Sequence, residues 1–342
     1  MKPVISIVIP NYDGLRHLEG CLSALRQQAF RNFETILVDN GSRDASISFV
    51  QKHFPEVRIV TLAENRGFAA AINAGVAVAE GEFVAWLNND TEADPGWLEA
   101  LQSVLDRREY SMWASRVVWF DRPHLLDSAG DGFTRAAVPF KRGHLDPVSN
   151  YETQHEVFAP SGSAAVFRRT LIADVGELDE RFFLVHEDVD FCLRARLRGH
   201  RCLYVPDAIV KHKVNSSIGY LSWAYVFYGQ RNLECVYWKN LPWPLLLYCL
   251  PAHCVFNLLA CGYYVLKGHG LTFMHAKLMS FARVPRLLRQ RSDIQSRRVV
   301  STKELWRLMA RDWFASKLRI AKNNRRANVA DPLNVVEKEA RV

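Results

Sequence analysis

The chain has 342 residues, 49% hydrophobic and 23% charged, enough for one large domain with an appendage and too apolar for wholesale disorder. Its net charge of +8 is uneven: Lys267 to Arg326 holds 16 Lys and Arg against 3 Asp and Glu, a local +13 that leaves −5 for the rest. Seven scattered cysteines without a CxxC pair argue against a disulfide framework or zinc site and for reduced thiols in a cytosolic compartment.

Residues 4–9 (VISIVI), 33–38 (FETILV), 57–62 (VRIVTL) and 83–87 (FVAWL) are short apolar runs that predict buried strands. The first leads into polar turn residues without a small-residue cleavage site, so it predicts a strand rather than a signal peptide. Leu15, Leu18, Leu22 and Leu25 recur at helical spacing, and the Ala-dense stretch 67–81 predicts a second helix. Strands alternating with helices imply a doubly wound parallel sheet. The apolar run 83–87 stops at Asn88, Asn89 and Asp90. In open α/β sheets that place holds a ligand or metal, although a plain turn uses the same residues.

Residues 120–160 are rich in Gly, Pro, Asp and His and read as a long excursion or hairpin. Order returns at 161–169 (SGSAAVFRR). Phe191, Leu193 and Leu197 then predict a helix closed by Gly199, with a strand at 202–205 ending near Pro206. From Asn240 to Leu266, 27 residues carry no Lys, Arg, Asp or Glu. That length could span a bilayer. Pro242, Pro244, Pro251, His253 and Asn257 oppose spanning and favour a helical hairpin or amphipathic element in the interface, and a buried core helix is a third reading. The basic block that follows favours an anionic membrane surface.

The segments ISIVIPNYDG (5–14), ILVDNGSRDAS (36–46), ENRGFAAAINAG (64–75), WLNNDTEADPGWL (86–98), SGSAAVFRR (161–169) and FLVHEDVDFCLRARLRG (183–199), in this order, resemble the family 2 glycosyltransferases, in particular their bacterial rhamnosyltransferase-like branch. The resemblance implies a GT-A-type doubly wound mixed sheet followed by a C-terminal helical, membrane-associating region. It places the transferase domain at 1–235, with a nucleotide-binding half at 1–90 and an acceptor and catalytic half at 91–235. An apolar and basic region at 236–330 and a tail at 331–342 follow.

The implied activity is inverting transfer of a sugar from a nucleotide-diphosphate donor, best taken as dTDP-rhamnose, to a lipid-linked or growing cell-surface glycan. The implied location is the cytoplasmic face of the bacterial inner membrane, as a peripheral or monotopic protein. Pro10, Tyr12 and Asp39 resemble the base-facing residues, and Asn65, Arg66 and Gly67 would line the diphosphate and base. The family's Asp-x-Asp element is here Asn88-Asn89-Asp90, so its first carboxylate is missing. Asp90 would take Mg2+ or Mn2+, His212 would be a second metal ligand, and Asn88 and Asn89 would face the donor. Asp188 maps to the general base with Glu187 beside it, and Arg231 to a residue that closes over the donor.

Two other function classes compete. A nucleic-acid binder would use the basic block, but there is no recognition helix or aromatic RNA platform, so no nucleic acid is expected. A catalytically inert nucleotide-sugar binder would explain the missing carboxylate, and binding without turnover separates it from an enzyme.

Overall fold

The computed structural model describes residues 2–214, 219 and 221–311, so the expected tail at 331–342 and the end of the basic block lie outside the described residues. The first half runs β1 (Ile5–Asn11), α1 (Leu15–Arg26), β2 (Phe33–Asp39), α2 (Ser46–His53), β3 (Arg58–Thr61), α3 (Gly67–Val78) and β4 (Phe83–Leu87). Then come β5 (Thr91–Ala93), α4 (Trp97–Gln102), β6 (Met112–Trp119), β7 (Leu126–Ser128), β8 (Asp131–Phe133), β9 (Pro139–Lys141) and β10 (His155–Val157). The remainder is β11 (Ala164–Arg168), α5 (Arg169–Val175), α6 (Glu187–Leu197), β12 (Cys202–His212), α7 (Trp223–Asn240), α8 (Trp243–Leu266), α9 (Gly270–Phe281), α10 (Val284–Ser296) and α11 (Thr302–Leu308).

The main sheet has the order β10-β12-β6-β11-β4-β1-β2-β3. β3, β2, β1 and β4 are mutually parallel, as the crossover helices require. β11 enters antiparallel between β4 and β6, and β12 runs parallel to β6, so the sheet is mixed. Strand alternation divides the core between two faces. Ile7, Ile9, Leu37, Ala85 and Leu87 pack with Leu18, Leu22 and Trp97 on one side, under α1 and α4. Val8, Val38, Val84 and Trp86 pack with Ile72, Phe167 and Phe191 on the other. There Trp86 lies with ring centroids 4.2 Å from Phe167 and 5.2 Å from Phe191, each such pair adding about 0.5–1.5 kcal/mol beyond burial.

Two expectations change. The strand predicted at 202–205 does not end near Pro206 but continues to His212. A register shift between Val205 and Ile209 takes the proline out of the ladder, where its missing N–H costs nothing. The stretch 120–160 contains the β8–β9 hairpin, as expected, but also β7 and β10, which join the main sheet.

Candidate active site

The chain order reverses between β1 and β4, since β2 and β3 lie to one side of β1 and β4 to the other. Such a switch point opens a crevice at the carboxyl ends of the strands. Asn89 Nδ2 donates to Asn11 Oδ1 across it at 2.7 Å. Asn89 is therefore committed to the scaffold, while Asn88 beside it keeps a buried Oδ1 without a hydrogen-bond partner. Pro10 is the last residue but one of β1, and Tyr12 is exposed just beyond the strand. At the end of β2, Asp39 is only 2% exposed; its Oδ2 accepts from the Ser42 N–H at 3.2 Å, whereas Oδ1 has no partner.

Asn65 builds the adjoining turn, its Oδ1 accepting from the Gly67 N–H at 2.9 Å and from Asn40 Nδ2 at 3.1 Å. Gly67 has φ +86°, and a Cβ there would run into the Phe183 carbonyl. Arg66 points outward to Glu180, 2.7 Å away.

Asp90 and His212 meet because β5 pairs antiparallel with the end of β12, setting Thr91 opposite His212. His212 Nε2 lies 3.3 Å from Asp90 Oδ1, and Nδ1 lies 2.9 Å from Asp127 Oδ2. Burial opposes a charge on His212, but the two carboxylates push it up to about 9. Asp127 is fully buried. Burial alone would raise it, yet Lys141, with Nζ at 2.7 and 2.8 Å, and the His144 and His212 rings hold it well below the usual carboxylate range. A histidine with one ring nitrogen on a carboxylate and the other facing a second acid is the arrangement of a metal-ligating imidazole. Among the described residues no cluster of three or more His, Cys, Asp or Glu could hold a cation by itself, so this pair would need donor oxygens or water to complete a coordination sphere.

Glu187 and Asp188 open α6. Asp188 Oδ2 accepts from the Gly162 N–H at 3.2 Å and Oδ1 from the Val189 N–H at 2.8 Å. Burial raises Asp188, while these N–H groups favour its charged form. Glu187 Oε2 is buried without a partner, and burial and then the Asp188 charge push Glu187 up to about 8. The two neighbours thus differ, with Asp188 the one built to be ionised. Asp131 lines the same small pocket as Asp188, with Pro160 and Cys192, and burial followed by the Asp188 charge pushes it up to about 8. Behind them Asp190 is fully buried and holds Arg194 at 3.0 Å, Lys239 at 2.9 Å and Asn240 at 2.8 Å, fixing the start of α6 on α7.

The segment before α6 is strained: Phe183, Val185 and His186 have φ of +63°, +65° and +71°. Each such residue costs on the order of 1–3 kcal/mol and needs support. α7 supplies it. Arg231 Nη2 donates to the Arg181 and Phe182 carbonyls at 2.9 and 2.8 Å, and Asn232 Nδ2 to Phe182, Leu184 and Val185 at 2.7–2.9 Å. Arg231, expected to close over the donor, lies beneath this segment, with Nη2 on the two carbonyls that lead into the strained residues.

The structure therefore brings Asp39, Asn88, Asp90, His212, Glu187 and Asp188 to the carboxyl edge, and leaves Arg66 and Arg231 engaged elsewhere. Asp127 and Asp131 were absent from the sequence expectations. The sequence signal was the stretch DSAGDG at 127–132, which also fits a turn.

The family model described as glycosyl transferase family 2 matches residues 6–176, half of the chain. N-acetylglucosaminyl-diphospho-decaprenol L-rhamnosyltransferase of Mycobacterium tuberculosis is 27% identical over 242 residues, which cover 64% of this chain and 78% of that protein. Another curated relative is spanned for only 25% of its length. Among solved structures, S. aureus TarS 1–349 superposes with a TM-score of 0.56 at 17% identity, covering 90% of this chain and 89% of that one. Mannosyltransferase PcManGT from Pyrobaculum calidifontis, in complex with GDP-Man and Mn2+, gives 0.51 at 18% identity, covering 90% and 88%. The shared fold is the expected GT-A type.

Proposed function

The chain belongs to glycosyl transferase family 2, and on that premise we propose that it moves a sugar, with inversion, from a nucleotide-diphosphate donor to a lipid-linked or growing cell-surface glycan. The single observation that carries this reading is the Asp90–His212 pair, 3.3 Å apart at the carboxyl edge that also carries Asp188. The donor is best taken as dTDP-rhamnose, in keeping with the mycobacterial relative's name.

In this reading residues 1–90 bind the donor, 91–235 carry acceptor and catalytic groups, and 236–330 hold the protein at the cytoplasmic face of the inner membrane. The free Oδ1 of Asp39 accepts from a pyrimidine N–H. Asp90 and His212 hold Mn2+ or Mg2+, with Asn88 Oδ1 as a neutral oxygen near the sugar or water. When bound, the cation neutralises the charge that grows on the leaving diphosphate.

Asp188 accepts the proton of the acceptor hydroxyl as its oxygen attacks the anomeric carbon opposite the diphosphate. The new C–O bond forms as the old one breaks, and the diphosphate leaves with the electron pair. Glu187, neutral below about pH 8, adds no charge to repel that diphosphate.

The test is a transfer and hydrolysis screen over nucleotide sugars, with Mn2+, with Mg2+ and with chelator. Metal-dependent turnover of dTDP-rhamnose is expected. Turnover of another donor alone would replace the sugar assignment, and tight binding without turnover with every acceptor would favour the inert binder.

A further inference from the structure

α8 is a single 24-residue helix, long and apolar enough to cross a bilayer by length and composition. Its two sides differ. The inner side is tied to the body along nearly its whole length. Leu245, Leu246 and Cys249 are buried in the main core. His253 stacks on Tyr237 at 4.2 Å, and its Nδ1 lies 2.8 Å from the Ala136 carbonyl in the β8–β9 hairpin. Asn257 Nδ2 donates to Glu234 Oε1 at 3.0 Å, and Tyr264 OH accepts from Gln230 Nε2 at 3.3 Å. α9 closes the same cluster through Lys277, whose Nζ is 2.7 Å from Glu234 Oε1. Pulling α8 away to span a membrane would strip His253 and Asn257 from the buried Glu234 carboxylate, which is strongly unfavourable.

The outer side is bare. Leu258, Leu266 and Leu271 are 73%, 88% and 89% exposed, and Leu247, Val265, Leu278 and Phe281 extend the same surface over α8 and α9. Between Trp243 and Ala282 the only Lys, Arg, Asp or Glu residues are Lys267 and the buried Lys277. Trp243 and Tyr248 stand exposed at the N-terminal end. Basic α10 follows directly and adjoins that end, with Arg291 4.2 Å over the Trp243 ring and Arg286, Arg289 and Arg297 exposed. An exposed apolar face of this extent marks an interaction site.

We propose that the outer face of α8 and α9 is a monotopic membrane plate, lying in the plane of one anionic leaflet with the α10 arginines at its lipid headgroups. A bilayer suits both features, an apolar face without charge and a cationic border. A second copy suits them less, because an isologous pairing would bring two arginine borders together. The inference deepens the functional reading and rests on its lipid-linked acceptor. The Ala136 carbonyl that receives His253 is in the same hairpin whose first strand begins at Asp131, on the Asp188 pocket, so the plate is built onto the wall of the catalytic site.

The experiment uses the full chain and flotation with vesicles of phosphatidylethanolamine and phosphatidylglycerol, compared with phosphatidylcholine alone. Binding to the anionic vesicles and release into the supernatant at alkaline pH are expected. The triple variant Leu258→Glu, Leu266→Glu, Leu271→Glu should bind at least about tenfold more weakly with an unchanged melting temperature and unchanged turnover of a soluble acceptor. Arg286→Glu with Arg289→Glu should lose the preference for anionic lipid.

Retention in the bilayer after alkaline extraction would overturn the plate in favour of a spanning helix. A concentration-dependent dimer abolished by the triple variant, with no vesicle binding by the parent, would overturn it in favour of a second copy. Vesicle binding without turnover of any nucleotide sugar would leave the plate standing and remove the transferase reading instead.

Discussion

His212 Nε2 sits 3.3 Å from Asp90 Oδ1, although the two residues are far apart in the chain, because the short strand β5 folds back on the end of β12. Asp127, on the far nitrogen of the ring, keeps Nε2 aimed at Asp90. Asp90→Asn should therefore weaken Mn2+-dependent donor binding by more than the about 10–100-fold typical of losing an outer-shell partner, and leave binding of the free nucleoside nearly intact. Titration calorimetry with both ligands checks this. Equal losses would mean that Asp90 only shapes the crevice.

Gly162 donates its N–H to Asp188, and an added Cβ would sit 2.5 Å from Asp188 Oδ2. Gly162→Ala should displace the carboxylate and lower kcat by about 10²-fold, the cost of an ångström-scale misplacement, with little change in donor Kd. A parallel loss in Kd would show that the loop instead shapes the donor pocket.

Turnover should also report the environment of Asp188 through its pH dependence. Burial raises that carboxyl above the ordinary carboxylate range, so activity should rise with pH along a limb shifted upward from that of a free aspartate. Glu187→Gln should keep that limb, because Glu187, at about 8, is still protonated where Asp188 ionises. Loss of the limb in this variant would transfer the base role to Glu187.

The Glu234 cluster predicts a stability change of known sign. Burial alone would raise Glu234, but the His253 hydrogen bond and the Lys277 ammonium hold it at about 2, below its ordinary value of about 4.3. Its contribution is thus complete above about pH 4.3 and is lost as pH falls toward 2. Lys277, by contrast, is held below its ordinary value by burial, since one carboxylate and one carbonyl do not fully replace its water. Glu234→Gln should cost about 3–5 kcal/mol at pH 7 in urea unfolding, and progressively less below pH 4. A cost independent of pH would mean that packing, not charge, is lost.

Most of the parallel part of the sheet was legible in the sequence because parallel strands buried on both faces read as near-continuous apolar runs, as β1, β2 and β4 do. β6 was not, since Ser115 and Arg116 interrupt it. The structure shows why Ser115 is tolerated: its Oγ accepts from the Trp97 indole at 2.9 Å inside the core. Asp90 could be singled out where an apolar run stops, whereas Asp39, Glu187 and Asp188 were picked out by the resemblance of the segments that hold them. Asp127 and Asp131 could not be singled out, because their meaning lies in contacts with His212 and the Asp188 pocket, many residues away. The hydrogen bonds of Arg231 to the Arg181 and Phe182 carbonyls were hidden for a similar reason, since nothing local reveals the positive φ of Phe183, Val185 and His186 that this support serves.

The most direct test of the account measures kcat and donor Kd for Asp188→Asn beside the parent enzyme. The amide keeps the size of the side chain but cannot accept the acceptor's proton. The account predicts a loss in kcat of about 10²–10⁴-fold with donor affinity nearly unchanged. Near-normal turnover by Asp188→Asn would contradict it.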